Sequence, residues 1–172
     1  FIPRVIDMRH PAGAIGVKIF GATSVNFMQK KRTQLEALGL EFKEISQPTR
    51  ITKGVWATGP VPRVYPEQNH PNWVLLQKPN GDTTPDNVPE SQGLVVKTTD
   101  GPIVLLGCGH SGAVNMLSWV RQEIQDQEIN ALMGGMHLFN ASQQEVSWTG
   151  VKLKELGLKH LMAGHCTGVE PM

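Results

Sequence analysis

Three times in this chain an apolar run ends in glycine and then histidine, and that repetition constrains the fold more than any other feature. Ile103-Val104-Leu105-Leu106 runs into Gly107-Cys108-Gly109-His110-Ser111-Gly112. Ile129 to Met133, apolar except for Asn130, runs into Gly134-Gly135-Met136-His137. Leu158 to Ala163 runs into Gly164-His165-Cys166-Thr167-Gly168. The histidines at 110, 137 and 165 are 27 and 28 residues apart. A short apolar run bounded by turn residues reads as a buried strand. Glycine lets the backbone turn tightly and approach closely, which a crowded site at a strand end requires. Ligands of open α/β sheets bind beyond the carboxyl ends of the strands. Three histidines delivered to one such edge can share a metal ion, and a catalytic zinc site commonly has three protein ligands and one open position.

The surrounding pattern supports layers of helix and sheet. Leu94 to Thr98, an Asp100-Gly101 turn and Ile103 to Gly107 read as a β-hairpin. Ser111 is expected to cap a helix over 112–125, with Ala113, Met116, Leu117, Val120 and Ile124 as its apolar stripe. Ser142-Gln143-Gln144-Glu145 is a capping box opening a helix through Leu156, and Gly157 ends it. The order β-β-α-β-α-β predicts an α/β fold. Upstream, 24–38 reads as a helix stopped by Gly39, and strands are expected over 1–9, 15–20, 42–45 and 51–58. Lys53-Gly54 forms a turn or bulge within the last of these.

Residues 59–92 differ. Seven prolines (60, 62, 66, 71, 79, 85 and 89) stand among Asn, Asp and Gly, and only Trp73 to Leu76 looks strand-like. A loop this long in a compact domain tends to be functional, and a substrate-covering role is expected for it. Within it Arg63 can pair with an anionic substrate group through its fork of donors. His70 can reach a ligand from this loop but is expected to face solvent, His160 is expected to be structural within a strand, and His10 precedes a proline in a turn. Cys108 and Cys166 admit three readings: a thiol nucleophile with a nearby histidine as base, soft metal ligands, or small buried residues.

Totals exclude several classes. A chain of 172 residues, 40% hydrophobic, has room for one domain with a real core. A net charge of +1 with no basic tract gives no support to nucleic-acid binding. No apolar run approaches the roughly 20 residues of a membrane span. A disulfide between Cys108 and Cys166 is possible, but two cysteines in a chain of this size are more often reduced thiols. A cytoplasmic location is expected. The chain begins at Phe1 inside an apolar segment and stops soon after Gly168, so both ends are expected to be clipped.

Taken together, the three glycine-histidine turns resemble the later motifs of the metallo-β-lactamase superfamily. They most resemble the branch named after the dihydropterin-type ribofuranosylaminobenzene phosphate synthases. That branch shows Gly-Cys-Ser-His-Pro-Gly, Gly-Gly-Phe-His-Leu and Gly-His-Cys-Thr-Gly. Thr58-Gly59-Pro60-Val61-Pro62-Arg63 is similar to its Thr-Gly-Glu-Ile-Pro-Arg segment, and Pro85-Asp86 through Glu90-Ser91-Gln92-Gly93-Leu94 to its acidic segment. The resemblance spans roughly residues 50–170, with an echo at His10-Pro11.

It implies an αββα sandwich with one or two divalent ions at a sheet edge: zinc, or else iron or manganese. His110 matches the third histidine of the first metal site and His165 the last of the second. His137 falls where many members place a metal-bridging aspartate, which implies a ligand or a substrate contact. The implied activity is hydrolysis of a small, phosphate-bearing ester by metal-bound water, with Arg63 meeting the anionic group. The superfamily's first metal motif, His-x-His-x-Asp-His, is not among the 172 residues. It is expected to precede Phe1, making 1–172 a partial domain. The competing expectation is a non-catalytic fragment or subunit, completed by an N-terminal segment or by a homo-oligomer.

Overall fold

The structure, a computed structural model, describes residues 2–3, 14–18, 21–24, 27–67, 69–70, 74–77, 80 and 82–168. Among the described residues, twelve strands and three α-helices follow in chain order: β1 (Ile2–Pro3), β2 (Ala14–Lys18), β3 (Gly21–Ser24), α1 (Phe27–Ala37), β4 (Glu44–Ile45), β5 (Thr49–Thr52), β6 (Val55–Ala57), β7 (Val74–Gln77), β8 (Thr83–Pro85), β9 (Gly93–Val96), β10 (Ile103–Leu106), α2 (Ala113–Glu123), β11 (Ala131–Gly134), α3 (Gln143–Glu155) and β12 (His160–Ala163). The class is the mixed α/β expected. His10 and Trp73, and most of the strand expected over 1–9, lie outside the described residues.

The site is positioned by a six-stranded sheet of order β12-β11-β10-β9-β6-β5. Its first three strands are parallel, and the rest pair antiparallel. Register sets where the turns emerge. Leu105 lies opposite Met133, and Met133 opposite Met162. The three parallel strands therefore end flush. The ladder continues one residue further, with Gly135 N–H donating to Gly107 O at 2.9 Å and Gly164 N–H to Gly134 O at 3.2 Å. All three glycine-histidine turns leave the sheet at one level. The β9–β10 hairpin forms at the Asp-Gly turn, where Gly101 has φ of 110° and accepts at its carbonyl from Thr98 Oγ1.

Each parallel step crosses over through a helix, β10-α2-β11 and then β11-α3-β12. Right-handed crossovers in one direction place both helices on one face, and α2 and α3 touch there. Beneath them the core gathers Val95, Val104, Leu132 and Ile129 from the sheet region with Val114, Met116, Leu117 and Val120 of α2. Of the expected stripe, Ala113, Met116, Leu117 and Val120 are buried here and Ile124 packs half-buried against them, while Val114 joins the core without having been expected. The opposite face is less covered: Leu94 is 39% and Met162 55% exposed.

The capping box of α3 forms as expected. Ser142 Oγ accepts from Glu145 N–H, and Glu145 accepts from Ser142 N–H. The cap expected for α2 does not form. Its N-cap is Gly112, and no side chain of that residue is available to accept. Ser111 instead donates its N–H to Ser91 Oγ. The free amides of the first turn go to Glu67, which accepts from Val114 N–H at 3.1 Å and Asn115 N–H at 2.8 Å. A carboxylate suits that place, because a helix N-terminus presents unpaired N–H groups and a positive dipole end. Gly112 must lack a side chain there, since a Cβ would collide with the Glu67 carboxylate.

A second sheet of order β3-β2-β7-β8 and a β1–β4 pair complete the described strands. β3 and β8 were not expected. β8 is an edge strand carrying Pro85, a position where a missing N–H costs no ladder bond. Among the described residues no helix is long and apolar enough to cross a membrane.

Candidate metal centre

The flush strand ends bring the turns together, and each delivers its histidine at a different offset from the ladder. His110 and His137 meet: their ring centroids are 4.3 Å apart, tilted by 48°. Phe139 stands edge-on to His137 at 4.9 Å and leaves half of its own surface to solvent. His165 turns instead toward the sulfurs, with Nε2 3.2 Å from Cys108 Sγ. The donor atoms of Cys108, His165 and Cys166 all lie within 4.8 Å of one another. The three expected histidines thus fall into an imidazole pair and, beside it, an imidazole among thiols. Both cysteines are free thiols and half-buried.

Hydrogen bonds fix the pair. His110 Nδ1 lies 2.9 Å from the backbone oxygen of Asn69. A carbonyl only accepts, so Nδ1 carries the proton and Nε2 of the neutral ring keeps its lone pair. Metal-ligating histidines are oriented by such a contact on the far nitrogen. The Asn69 side chain closes the link by donating to Met136 O at 2.6 Å, one residue before His137. Thr167, fully buried, accepts from Met136 N–H on the other side. His137 and His165 both have positive φ, 49° and 52°. Side-chain-bearing residues seldom hold that conformation, and such strain concentrates where a side chain must be aimed.

The protonation balance favours neutral rings. Burial, then the neighbouring His110, His70 and His165, push His137 down to about 4. Burial also lowers His110, against the opposing effect of its bond to Asn69. Among the described residues, the buried Nδ1 atoms of His137 and His70 have no hydrogen-bond partner. Neutral imidazoles with uncommitted nitrogens are the donor set that a divalent ion takes. The residues present therefore fit a metal. Burial pushes the Cys166 thiol up to about 11, so without an ion it is protonated and unreactive.

Arg63 reaches the same place from the proline-rich segment. Its Nη2 donates to the His110 carbonyl oxygen at 2.6 Å, and its buried Nε has no partner among the described residues. Burial works against its charge, while Glu90, Asp86 and Glu67 favour it. The expectation that His70 faces solvent does not hold. It is half-buried, and burial followed by the Arg63 charge lowers its pKa. His160 is exposed on β12, the edge strand. Sequence reasoning missed Glu67 and Asn69, and it named His70 but favoured solvent for it. All three lie in irregular chain, without the strand-glycine signal that marked the other turns.

The chain is 32% identical over 162 residues to a 7,8-dihydropterin-6-methyl-4-(beta-D-ribofuranosyl)-aminobenzene-5'-phosphate synthase of Methanocaldococcus jannaschii, a match covering 88% of this chain and 54% of that protein. It superposes on the crystal structure of Tm1679, a metal-dependent hydrolase of the β-lactamase superfamily, with a TM-score of 0.67 at 28% identity. That match covers 76% of this chain and 49% of the other. The chain thus spans about half the length of these relatives. No family model matches it. Strand order, glycine-histidine turns and both likenesses agree: the chain belongs to the metallo-β-lactamase superfamily, and its sequence is similar to the branch of the dihydropterin ribofuranosylaminobenzene phosphate synthases.

Proposed function

We propose that this chain carries part of the metal centre and the anion contact of a metal-dependent hydrolase acting on a small, phosphate-bearing ester. The single observation that carries the reading is the contact of His110 and His137 at the flush strand ends, with nitrogens left uncommitted. His110, His137 and His165 would hold one or two divalent ions between them, with zinc first and iron or manganese as alternatives. Such an ion supplies Lewis acidity towards a substrate oxygen and activates water near neutral pH.

The chain's own residues do the rest. Asn69 fixes the His110 ring by its carbonyl and ties that ring's turn to the next. Arg63 is pinned by one amine to the His110 carbonyl and keeps Nε for an anionic oxygen. His70 adds a ring nitrogen with no partner among the described residues, its pKa lowered by burial and by the Arg63 charge. Phe139 shields one edge of His137 from water. The proline-rich segment 59–92 brings Arg63, Asn69 and His70 to the site, which supports its role as the substrate-covering wall.

The test is metal-reconstituted protein assayed on p-nitrophenyl phosphate and bis(p-nitrophenyl) phosphate, with metal content measured alongside. Expected are stoichiometric metal and hydrolysis abolished by chelation. Arg63→Ala should raise KM roughly 10- to 100-fold with a smaller change in kcat, the loss of a hydrogen bond from a charged donor. Bound metal without hydrolysis of any ester would favour a non-catalytic subunit that needs a second segment or chain. Absence of both would end the reading.

A further inference from the structure

The three expected histidines leave Cys108 and Cys166 without a role, yet the fold brings both to the same rim. Cys108 follows β10 and Cys166 follows β12, strands separated in the sheet by β11. Their turns lean across β11 and meet above Gly135. That residue must stay bare: a Cβ on it would stand 2.6 Å from Cys166 Sγ, 2.7 Å from Gly107 O and 3.2 Å from His165 Cδ2. Over this floor Cys166 Sγ lies 3.5 Å from the Cys108 carbonyl oxygen, and Cys108 Sγ lies 3.2 Å from His165 Nε2.

We infer that Cys108, His165 and Cys166 form a thiolate–imidazole site for a soft divalent ion of the zinc class, with its fourth position open to solvent. The dimensions suit it. Zinc–sulfur and zinc–nitrogen bonds of about 2.3 and 2.1 Å put the donors of a tetrahedral site roughly 3.5–3.8 Å apart. The three donor atoms already lie within 4.8 Å of one another, so small rotations of two short side chains close the site. Charge also balances. Two thiolates neutralise a divalent ion, and the two thiol protons leave to solvent on binding. Access is open, because His165 is exposed and both cysteines are half-buried. Two cysteines with one histidine and a free fourth position is a donor set that zinc uses in catalysis. The site adjoins the His110–His137 pair, whose electrostatic surroundings include His165. This deepens the hydrolase reading by giving His165 two sulfur companions, and it rests on that reading only for His165.

Cobalt(II) loading of the full chain tests it, because thiolate ligation produces a sulfur-to-cobalt charge-transfer band in the near ultraviolet. The band is expected in the parent, at about half intensity in Cys108→Ser and in Cys166→Ser, and retained in His110→Ala. Should a serine variant not fold, thiol reactivity of the parent decides: zinc is expected to slow Cys108 towards Ellman's reagent, Cys166 being unreactive from the start. Cobalt bound without a sulfur band, Cys108 equally reactive with and without zinc, or a Cys108–Cys166 disulfide in metal-loaded protein would each overturn the inference. An imidazole-only spectrum with ester hydrolysis removes this inference and leaves the hydrolase reading. A sulfur band without hydrolysis does the reverse.

Discussion

At the scale of single residues, His137 carries the sharpest pH signature. In metal-free protein its folded-state pKa is pushed from 6.5 to about 4. The unfolded chain therefore binds the proton more tightly than the folded one. The stability linked to this ring is fully present above pH 6.5 and is lost as pH falls towards 4. Urea midpoints at pH 7 and pH 4.5 check it: the parent should lose more stability between them than His137→Asn. Asn69 acts through its neighbours. Asn69→Ala removes the bond to Met136 O and should cost about 1–2 kcal/mol in chemical denaturation. These roles differ in how far the sequence reveals them. His137 sits behind two glycines and an apolar run, which is a signal. Asn69 is one polar residue among many in a proline-rich segment, and only the fold shows which carbonyl it meets.

At the scale of elements, the two crossover helices are started by opposite means. α3 is capped from within by Ser142 and Glu145, four consecutive residues that can be read from the chain. Ser142→Ala should cost about 1 kcal/mol. α2 is capped by Glu67, a residue 47 positions before the amide it binds. Burial raises the Glu67 pKa, opposed by the amides of Asn115, Val114 and Ala113. Glu67→Ala leaves two backbone amides and the Asn115 side chain without that acceptor and should cost about 1–3 kcal/mol, read as a shift of the urea midpoint. Local patterns predict local caps, so Ser111 was expected there. Nothing local could announce a carboxylate arriving from another part of the chain. The same limit explains why β8, three residues with a proline at a sheet edge, gave no strand signal.

At the scale of the whole molecule, the sheet register creates the site. Three parallel strands end flush, so motifs 27 and 28 residues apart in sequence become neighbours in space. That much was legible, because buried parallel strands and glycine turns both leave strong marks. How the three histidines divide, two in ring contact and one among thiols, was not, because it depends on backbone aim at two positive-φ residues. The helix face of the sheet holds the fold, and Leu117→Ala beneath α2 should cost about 2–5 kcal/mol. The central claim is that these strand ends gather a metal centre. An anomalous-difference map at the zinc edge, from crystals of zinc-loaded protein, tests it most directly. The expected result is density about 2.0–2.1 Å from imidazole nitrogens of the 110, 137 and 165 turns. Zinc bound only elsewhere, with those rings free of it, would contradict it.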